Sequence, residues 1–344
     1  MNIYIGILYA LVTYSSAEII KEKGGSLSSR VKRIVRARRD VETSLARRHA
    51  HPMKKNARSE EALFKRRKGL ECDERLMKLS PNHTLCLDSV THTGSGVSAI
   101  VEKVIVDKHN ELRGYLEEYG LPFATDMLKV SWNDEIAAVA QKWADNCEFR
   151  HDKNFNRNIP GRLTLGQNIA LGQKSWEDAI TDWFNENNDF EYGKGSTGGG
   201  EIGHFTQLVW SSSSHVGCGF GKCPNIGDFY VCNYGPAGNS PGSLPEPYSS
   251  GKKGEACPLT FDQETGLCDC GDAMCYNGGN VDPDSCKCQC VNAAHITGPN
   301  CSVDCSAAED ISQCASKGGP WGDKACKQFA NVPYQYCPKT CKLC

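Results

Sequence analysis

The chain has 344 residues, a formal net charge of −2 and 20 cysteines. This length suggests about two domains, and thiols at this density persist as disulfides only in an oxidising compartment, which favours export. A reduced cytosolic zinc protein is disfavoured, because the clustered C-x-C steps lack the paired C-x2-C spacing of zinc ribbons.

The amino-terminal residues 1–17 resemble a signal peptide. They carry no charge, hold an apolar run at residues 3–12 and end in Ser15-Ser16-Ala17, small residues of the kind that a signal peptidase requires. The run is too short to cross a membrane, and no later run is long enough. The sequence therefore predicts a soluble protein that is secreted to the extracellular space.

Residues 18–68 are strongly basic, with 17 Lys and Arg against 6 Asp and Glu. Such a stretch can be an arm that binds nucleic acid or heparin. We favour a propeptide, because few apolar residues lie between basic clusters that resemble processing sites after Arg33, Arg39 and Lys68. From Gly69 onward, 22 basic residues face 35 acidic ones. The mature protein is then acidic, which argues against a nucleic-acid partner.

The remainder divides by its cysteine content. Residues 69–98 hold Cys72 and Cys86 with a glycosylation sequon at Asn82 between them, and residues 99–248 hold only four cysteines. A stretch rich in Pro, Gly and Ser at 236–254 indicates a linker or extended tail. Residues 257–344 carry 14 cysteines, a density typical of small stapled modules, and contain a second sequon at Asn300.

The segment 99–248 has both helical and strand patterns. A helix is predicted over 100–119, a second after Asn133 as its N-cap, and a third after a capping box that begins at Ser175. The second helix has apolar residues at helical spacing between 136 and 147, which form one buried stripe. Short strands are predicted at 205–210, 215–220 and 229–233. Helices beside a sheet make this an α+β domain.

Four motifs in this segment resemble those of the CAP superfamily, which includes cysteine-rich secretory proteins and antigen 5. They are residues 109–113 (HNELR), 166–169 (GQNI), 203–210 (GHFTQLVW) and 230–239 (YVCNYGPAGN). The resemblance implies a three-layer α-β-α sandwich. It also implies the disulfides Cys147–Cys218 and Cys223–Cys232.

The flanking segments resemble one branch of this superfamily, the cone-snail cysteine-rich venom proteins. Residues 72–86 are similar to the segment that precedes their CAP domain, and we expect Cys72 to pair with Cys86. Residues 257–304 resemble an EGF-like module. Residues 305–344 resemble a ShK-type module, the fold of a sea-anemone channel toxin, which implies the pairs Cys305–Cys344, Cys314–Cys337 and Cys326–Cys341.

The resemblance also implies a central cleft with two histidines and two acids. His151 and His204 match the histidines and Glu186 matches one acid, whereas Gln167 stands where the family has the other. Two neutral imidazoles beside a carboxylate can bind Zn2+. Because Gln167 removes one negative charge from the cleft, its affinity for Zn2+ should be weak. We therefore expect Zn2+ to be a possible ligand and not a required cofactor. We expect His109 to pack in the core and His215, in a serine-rich turn, to be exposed.

An enzymatic alternative is a protease, since a Ser-His-Glu set in this cleft has been proposed for some cone-snail relatives. A serine nucleophile needs a base within hydrogen-bond reach and an acid that orients that base. Here Gln167 replaces the orienting acid and Gln173 occupies the position of the proposed serine. The serines at 211–214 are more simply a polar turn. Catalysis is therefore disfavoured.

The sequence instead predicts a monomeric, non-enzymatic binding protein. Its partner is a lipid or sterol, an ion channel or another extracellular protein, in venom, defence or reproduction. Aromatic residues could line a lipid groove, although such a stripe is more often core: Phe184, Phe190, Tyr192 and Phe205. The lysine–tyrosine pair with which the sea-anemone toxin blocks potassium channels is replaced by Asn331 and Val332.

Overall fold

The structure is a computed structural model, and it describes residue 72, residues 76–77 and 80–90, residue 94, residues 96–329 and residues 331–344. The predicted signal peptide (1–17), the basic propeptide (18–68) and the processing sites at Arg33, Arg39 and Lys68 lie outside the described residues. In the part of the chain that is described, no helix is long and apolar enough to cross a membrane.

The first long helix, α1, spans Ala99–Gly114. Ser98 caps it, because the serine Oγ accepts a hydrogen bond from the amide of Val101. Tyr115 interrupts the helix with φ −131°, and a 3-10 turn at Leu116–Tyr119 follows. The single helix predicted at 100–119 is therefore two elements.

Two further helices follow the predicted caps. Helix α2 spans Asp134–Ala144, and its predicted cap Asn133 accepts a hydrogen bond from the amide of Ile136. A short helix, α3, spans Asn154–Arg157. Helix α4 spans Trp176–Asn185 after its predicted cap Ser175, and a 3-10 turn at Glu186–Asp189 extends it. The apolar stripe is buried from Ile136 to Ala144, as its periodicity predicts, whereas Cys147 follows the end of α2 and is half-buried.

A four-stranded sheet forms the middle layer. It contains β1 (Ser131–Trp132), β2 (Gly166–Leu171), β5 (His215–Cys223) and β6 (Gly227–Gly235), in the order β1-β5-β6-β2. The β1–β5 pair is parallel, and the β5–β6 and β6–β2 pairs are antiparallel. A separate hairpin joins β3 (Phe190–Glu191) to β4 (Gly195–Ser196).

Alternating glycines on β5 explain how closely α2 packs on one face of the sheet. A Cβ on Gly217, Gly219 or Gly221 would lie within 2.7 Å of backbone atoms of α2, so only glycine admits the helix at this distance. The other face packs against α1 and α4 in one core that includes Ile105, Trp183 and Cys218. The predicted α-β-α sandwich is therefore confirmed.

One predicted strand is wrong. Residues 205–210 belong largely to a helix, α5, at Gly203–Leu208. Phe205, Leu208 and Val209 are all fully buried and are spaced i, i+3 and i+4, which is the spacing of one helix face. The strands predicted at 215–220 and 229–233 are present and longer than predicted.

The disulfides predicted within the CAP segment are also wrong. Cys147 pairs with Cys223, and Cys218 pairs with Cys232, so the pairs Cys147–Cys218 and Cys223–Cys232 are absent. The register explains this result. Cys218 and Cys232 lie directly opposite each other on β5 and β6, whereas Cys223 ends β5 close to the carbonyl of Ala144, where α2 ends near Cys147.

The carboxy-terminal region consists of small disulfide-linked elements. Its strands form three hairpins: β7 (Phe261–Asp262) with β8 (Leu267–Cys268), β9 (Asn280–Val281) with β10 (Cys288–Gln289), and β11 (Ile296–Thr297) with β12 (Ser302–Val303). Helix α6 (Asp323–Gln328) and a π-helical turn (Val332–Tyr336) follow.

The predicted pairs Cys305–Cys344, Cys314–Cys337 and Cys326–Cys341 are present, as is Cys72–Cys86. The remaining cysteines pair locally as Cys257–Cys268, Cys270–Cys286, Cys275–Cys288 and Cys290–Cys301. No cysteine in the described residues is free.

Candidate functional site

Four elements of the sandwich bring the predicted cleft residues together. His151 lies in the loop between α2 and α3, Gln167 lies in β2, Glu186 follows α4, and His204 lies in α5. The centroids of the two imidazole rings are 6.1 Å apart. The sequence motifs therefore identified residues that lie close together in space, although these residues span more than fifty positions of the chain.

Glu186 fixes the position of His204. One oxygen of the carboxylate accepts a hydrogen bond from His204 Nδ1 at 2.6 Å. The other oxygen accepts from the amides of His204 and Phe205 at 2.8 and 3.0 Å. The carboxylate thus satisfies two of the amide donors that the start of α5 leaves without helical partners. Trp183 stacks beside the His204 ring, with centroids 6.3 Å apart.

Gln167 holds His151 in a corresponding way, but without charge. Gln167 Oε1 accepts a hydrogen bond from His151 Nδ1 at 2.8 Å, and Gln167 Nε2 donates to Asn233 Oδ1 at 3.1 Å. Burial lowers the pKa of His151 below its usual value of 6.5, although the hydrogen bond that His151 donates to Gln167 opposes this shift. Burial thus favours the neutral imidazole, which is the form that can bind a metal ion.

Sequence reasoning missed Asn233. It lies directly opposite Gln167 in the β2–β6 pair, is fully buried, and has an Nδ2 without a hydrogen-bond partner in the described residues. The asparagine is part of the 230–239 motif, but its contact with Gln167 follows from the strand register, which no sequence pattern fixes.

The other candidate residues do not join this site. Gln173 donates a hydrogen bond to Asp182. Ser214 Oγ lies 2.9 Å from His215 Nδ1, but both residues are buried. The expected exposure of His215 is therefore wrong, because the residue begins β5 between β1 and β6, and burial lowers its pKa to about 4.

Two further expectations concern the burial of His109 and a groove lined by aromatic side chains. His109 is buried as predicted, and its ring nitrogens lie 2.8 Å from the carbonyl oxygen of Ile105 and 2.9 Å from the hydroxyl of Tyr234. Three of the four aromatic residues expected to line a groove are instead buried: Phe184 and Phe190 both pack against Phe205 in the core between α4, α5 and the β3–β4 hairpin. The fourth, Tyr192, is half-buried, and its hydroxyl donates a hydrogen bond to the carbonyl of Tyr248.

The cleft supplies only part of a zinc site. Nε2 of each histidine makes no hydrogen bond with the described residues, and each Nδ1 is held by an acceptor, which is the usual arrangement for metal-binding imidazoles. Within those same residues, however, no group of three His, Cys, Asp or Glu side chains converges on one point. Both Glu186 oxygens are already occupied. The donors therefore fit an open site with two protein ligands and do not fit a closed tetrahedral one.

Several known proteins are similar to this chain. Residues 106–234 match the model of the CAP, or cysteine-rich secretory protein, family. Cysteine-rich secretory protein 3 of Homo sapiens is 37% identical over 222 residues, which cover 61% of this chain and 84% of that protein. Cysteine-rich venom protein Mr30 of Conus marmoreus is 34% identical over 229 residues, covering 64% of this chain and 73% of that protein. The solved structure of NaASP2 with Zn2+ shares 28% identity, with a TM-score of 0.43, over 52% of this chain and 100% of that one.

Proposed function

Because this chain belongs to the CAP family of cysteine-rich secretory proteins, we propose that it is secreted and acts by binding an extracellular target, without turning over a substrate. Its ten disulfides fit an oxidising extracellular environment. The similarity to a cone-snail venom protein and to a human secretory protein supports export and leaves the biological setting open between venom, defence and reproduction.

The cleft geometry carries the argument against turnover. Serine and cysteine hydrolases need a nucleophile within hydrogen-bond reach of a base. In the described residues, neither His151 nor His204 makes a hydrogen bond with a serine, threonine or cysteine side chain. A serine, threonine or cysteine endoprotease would therefore require a nucleophile that no described side chain places in hydrogen-bond contact with these histidines. A peptide-hydrolysis assay on the secreted chain, with His204→Ala as its control, tests this point directly.

The target that we propose is an acidic surface of an extracellular protein, such as a channel or receptor. Residues 305–344 carry five lysines against three acidic residues, whereas residues 69–304 carry 17 basic and 32 acidic residues. Within residues 69–344, this terminal module is the positively charged end of an acidic sequence, and charge of this kind steers association with an oppositely charged partner. Val332 is buried, so the position that matches the tyrosine of the toxin's pair is not available for pore block.

We further propose that the cleft takes up a divalent cation weakly. Nε2 of His151 and Nε2 of His204 would be its protein ligands, and water would complete the coordination shell. Native mass spectrometry of the secreted chain with added Zn2+, before and after EDTA, tests this proposal. A zinc adduct that is lost in His151→Ala and His204→Ala supports it, and an adduct that both variants retain contradicts it.

A further inference from the structure

The chain contains two glycosylation sequons, Asn82-His83-Thr84 and Asn300-Cys301-Ser302. In an exported protein, either asparagine could receive an N-linked glycan, which is bulky and polar and must lie at the surface. The proposed function uses neither sequon. Their surroundings in the fold differ, and this difference selects one of them.

Asn82 lies at the tip of a β-turn. The amide of His83 donates to the carbonyl of Ser80 at 3.0 Å, which closes a turn with Pro81 and Asn82 at its centre. Asn82 is exposed, and its side-chain amide makes no hydrogen bond with any described residue. A glycan on Asn82 Nδ2 would therefore replace no hydrogen bond of the described fold.

The residues on either side of this tip are fixed to the segment that contains α3. Ser80 Oγ donates to Asn156 Oδ1 at 2.9 Å, and Thr84 Oγ1 donates to Asp152 Oδ2 at 2.5 Å. Ser80 and Thr84 are both buried, whereas Asn82 between them is exposed. The turn is therefore held in place by its neighbours, and Asn82 can carry a large substituent into solvent without loosening it.

The first sequon is accessible while the chain is being made. N-linked glycans are attached to the nascent chain before it folds, and the enzyme must reach the hydroxyl of the third residue as well as the asparagine. In the folded protein that hydroxyl, of Thr84, is buried against Asp152, which follows it by 68 residues. Synthesis of 68 residues takes roughly 3–14 s. The partner that buries Thr84 is thus absent when the sequon first emerges.

The second sequon is constrained by residues that are made before it or within it. Asn300 is half-buried, its Oδ1 accepts a hydrogen bond from Ser302 Oγ at 2.7 Å, and its carbonyl accepts from the amide of Tyr276 at 2.9 Å. The middle residue, Cys301, is fully buried and bonded to Cys290, which precedes it by 11 residues. A glycan on Asn300 would have to pass out of a half-buried position, and the disulfide can close as soon as Cys301 is made.

We propose that Asn82 carries an N-linked glycan and that Asn300 does not. Nδ2 of Asn82 forms a bond with the anomeric carbon of an oligosaccharide that a lipid diphosphate carries in the secretory pathway. The bond between that carbon and the phosphate oxygen breaks, the lipid diphosphate leaves, and Nδ2 loses one proton to solvent. The glycan then covers the turn that contains Asn82. This modification depends on the export that is part of the proposed function.

The test is a peptide map of the full-length chain secreted from eukaryotic cells. Half of the protein is treated with peptide N-glycosidase F, which releases N-linked glycans and leaves aspartate at each glycosylated position. We expect the treatment to lower the intact mass by one glycan and to leave aspartate at position 82 and asparagine at position 300. Asn82→Gln should lose the whole mass change, and Asn300→Gln, the matched control, should keep it.

The Cys72–Cys86 bond, checked in non-reduced peptides, reports whether Asn82→Gln has folded. If that variant is not secreted, the map of the natural chain still decides the question. A secreted chain without a glycan, or with one at Asn300, would overturn the proposal and leave export intact. A chain that stays in the cells would contradict export, and the same map of the retained chain then decides the proposal: a glycan at Asn82 supports it, and an unmodified Asn82 overturns it.

Discussion

His151 and Gln167 are joined by a hydrogen bond of 2.8 Å between the imidazole Nδ1 and the amide Oε1. The corresponding contact of the second histidine, His204, is made to the carboxylate of Glu186 at 2.6 Å. The cleft therefore contains two imidazoles that are each held through Nδ1, one by a neutral amide and the other by a carboxylate. If the cleft binds a cation as proposed, this asymmetry should limit its affinity.

Replacing Gln167 by glutamate should strengthen cation binding. A carboxylate accepts a stronger hydrogen bond from His151 Nδ1 and makes the imidazole more basic, and such supporting contacts change metal affinity by about 10–100-fold. Asn233 Nδ2, which has no partner in the described residues, could also donate to the new carboxylate. We expect Gln167→Glu to raise Zn2+ affinity about tenfold in isothermal titration calorimetry. Gln173→Glu is the control, and equal affinities in the two variants would contradict the account.

Arg113 should be indispensable for stability. It is 1% exposed and donates to the carbonyl groups of five residues, which are Leu128, Leu208, Trp210, Ser211 and Ser213. A lysine ammonium cannot reproduce this planar set of donors, so Arg113→Lys leaves buried carbonyl groups unpaired. We expect a loss of about 3–5 kcal/mol in the free energy of unfolding, measured with denaturant.

Arg150→Lys is the control for that experiment. Arg150 is exposed and pairs with Glu148 on the surface, so its replacement should change the free energy of unfolding by less than about 1 kcal/mol. Similar losses in the two variants would show that the carbonyl contacts of Arg113 do not matter.

Stability should fall below pH 6.5 because of His215. Burial lowers its pKa from 6.5 to about 4 in the folded protein. The unfolded chain therefore binds the proton first, so the stability that the neutral histidine contributes is complete above pH 6.5 and is lost as the pH falls towards 4. His109, with a pKa of about 4 for the same reason, should act in parallel.

The variant His215→Asn separates this contribution from the others. Between pH 7 and pH 4.5, its free energy of unfolding should fall by about 2–3 kcal/mol less than that of the natural chain. The measurement is denaturant unfolding at both pH values. A loss of the same size in both proteins would mean that His215 does not titrate in this range.

The two disulfides of the sandwich should differ in their contributions. Cys147–Cys223 closes a loop with a sequence separation of 76 residues, and Cys218–Cys232 one of 14. The chain-entropy model then gives about 4–5 kcal/mol for the first and about 3 kcal/mol for the second. Denaturant unfolding of the paired alanine variants measures the difference. Recovery of a Cys147–Cys218 peptide from the natural chain would refute the pairing itself.

Local signals predicted much of the sandwich. The caps at Asn133 and Ser175 and the apolar period of α2 depend on neighbours within a few residues, so the sequence was sufficient. The error at residues 205–210 has a local cause too, because a short apolar run does not distinguish a buried helix from a strand. The adjacent position of Phe205, Leu208 and Val209 on one helix face became evident only in the structure.

Contacts between distant segments could not be predicted in the same way. The Cys218–Cys232 pair depends on the exact register of β5 against β6, and a shift of one residue would reverse which side chains face each other. The burial of His215 depends on its pairing with Ser131 of β1, which lies 84 residues earlier in the chain. The contact of Gln167 with Asn233 and the position of Tyr334 beside Gly278 could not be predicted for the same reason, because each joins segments that are far apart in the sequence.

The most direct test of the central claim is a search for turnover. The secreted, processed chain is incubated with a diverse peptide library with and without added Zn2+, next to the His204→Ala variant prepared in the same way, and the products are quantified by mass spectrometry. The account predicts that any cleavage by the natural chain stays at the level of the His204→Ala variant in both conditions. Cleavage that is reproducible in the natural chain and lost in His204→Ala would contradict it and establish the cleft as an active site.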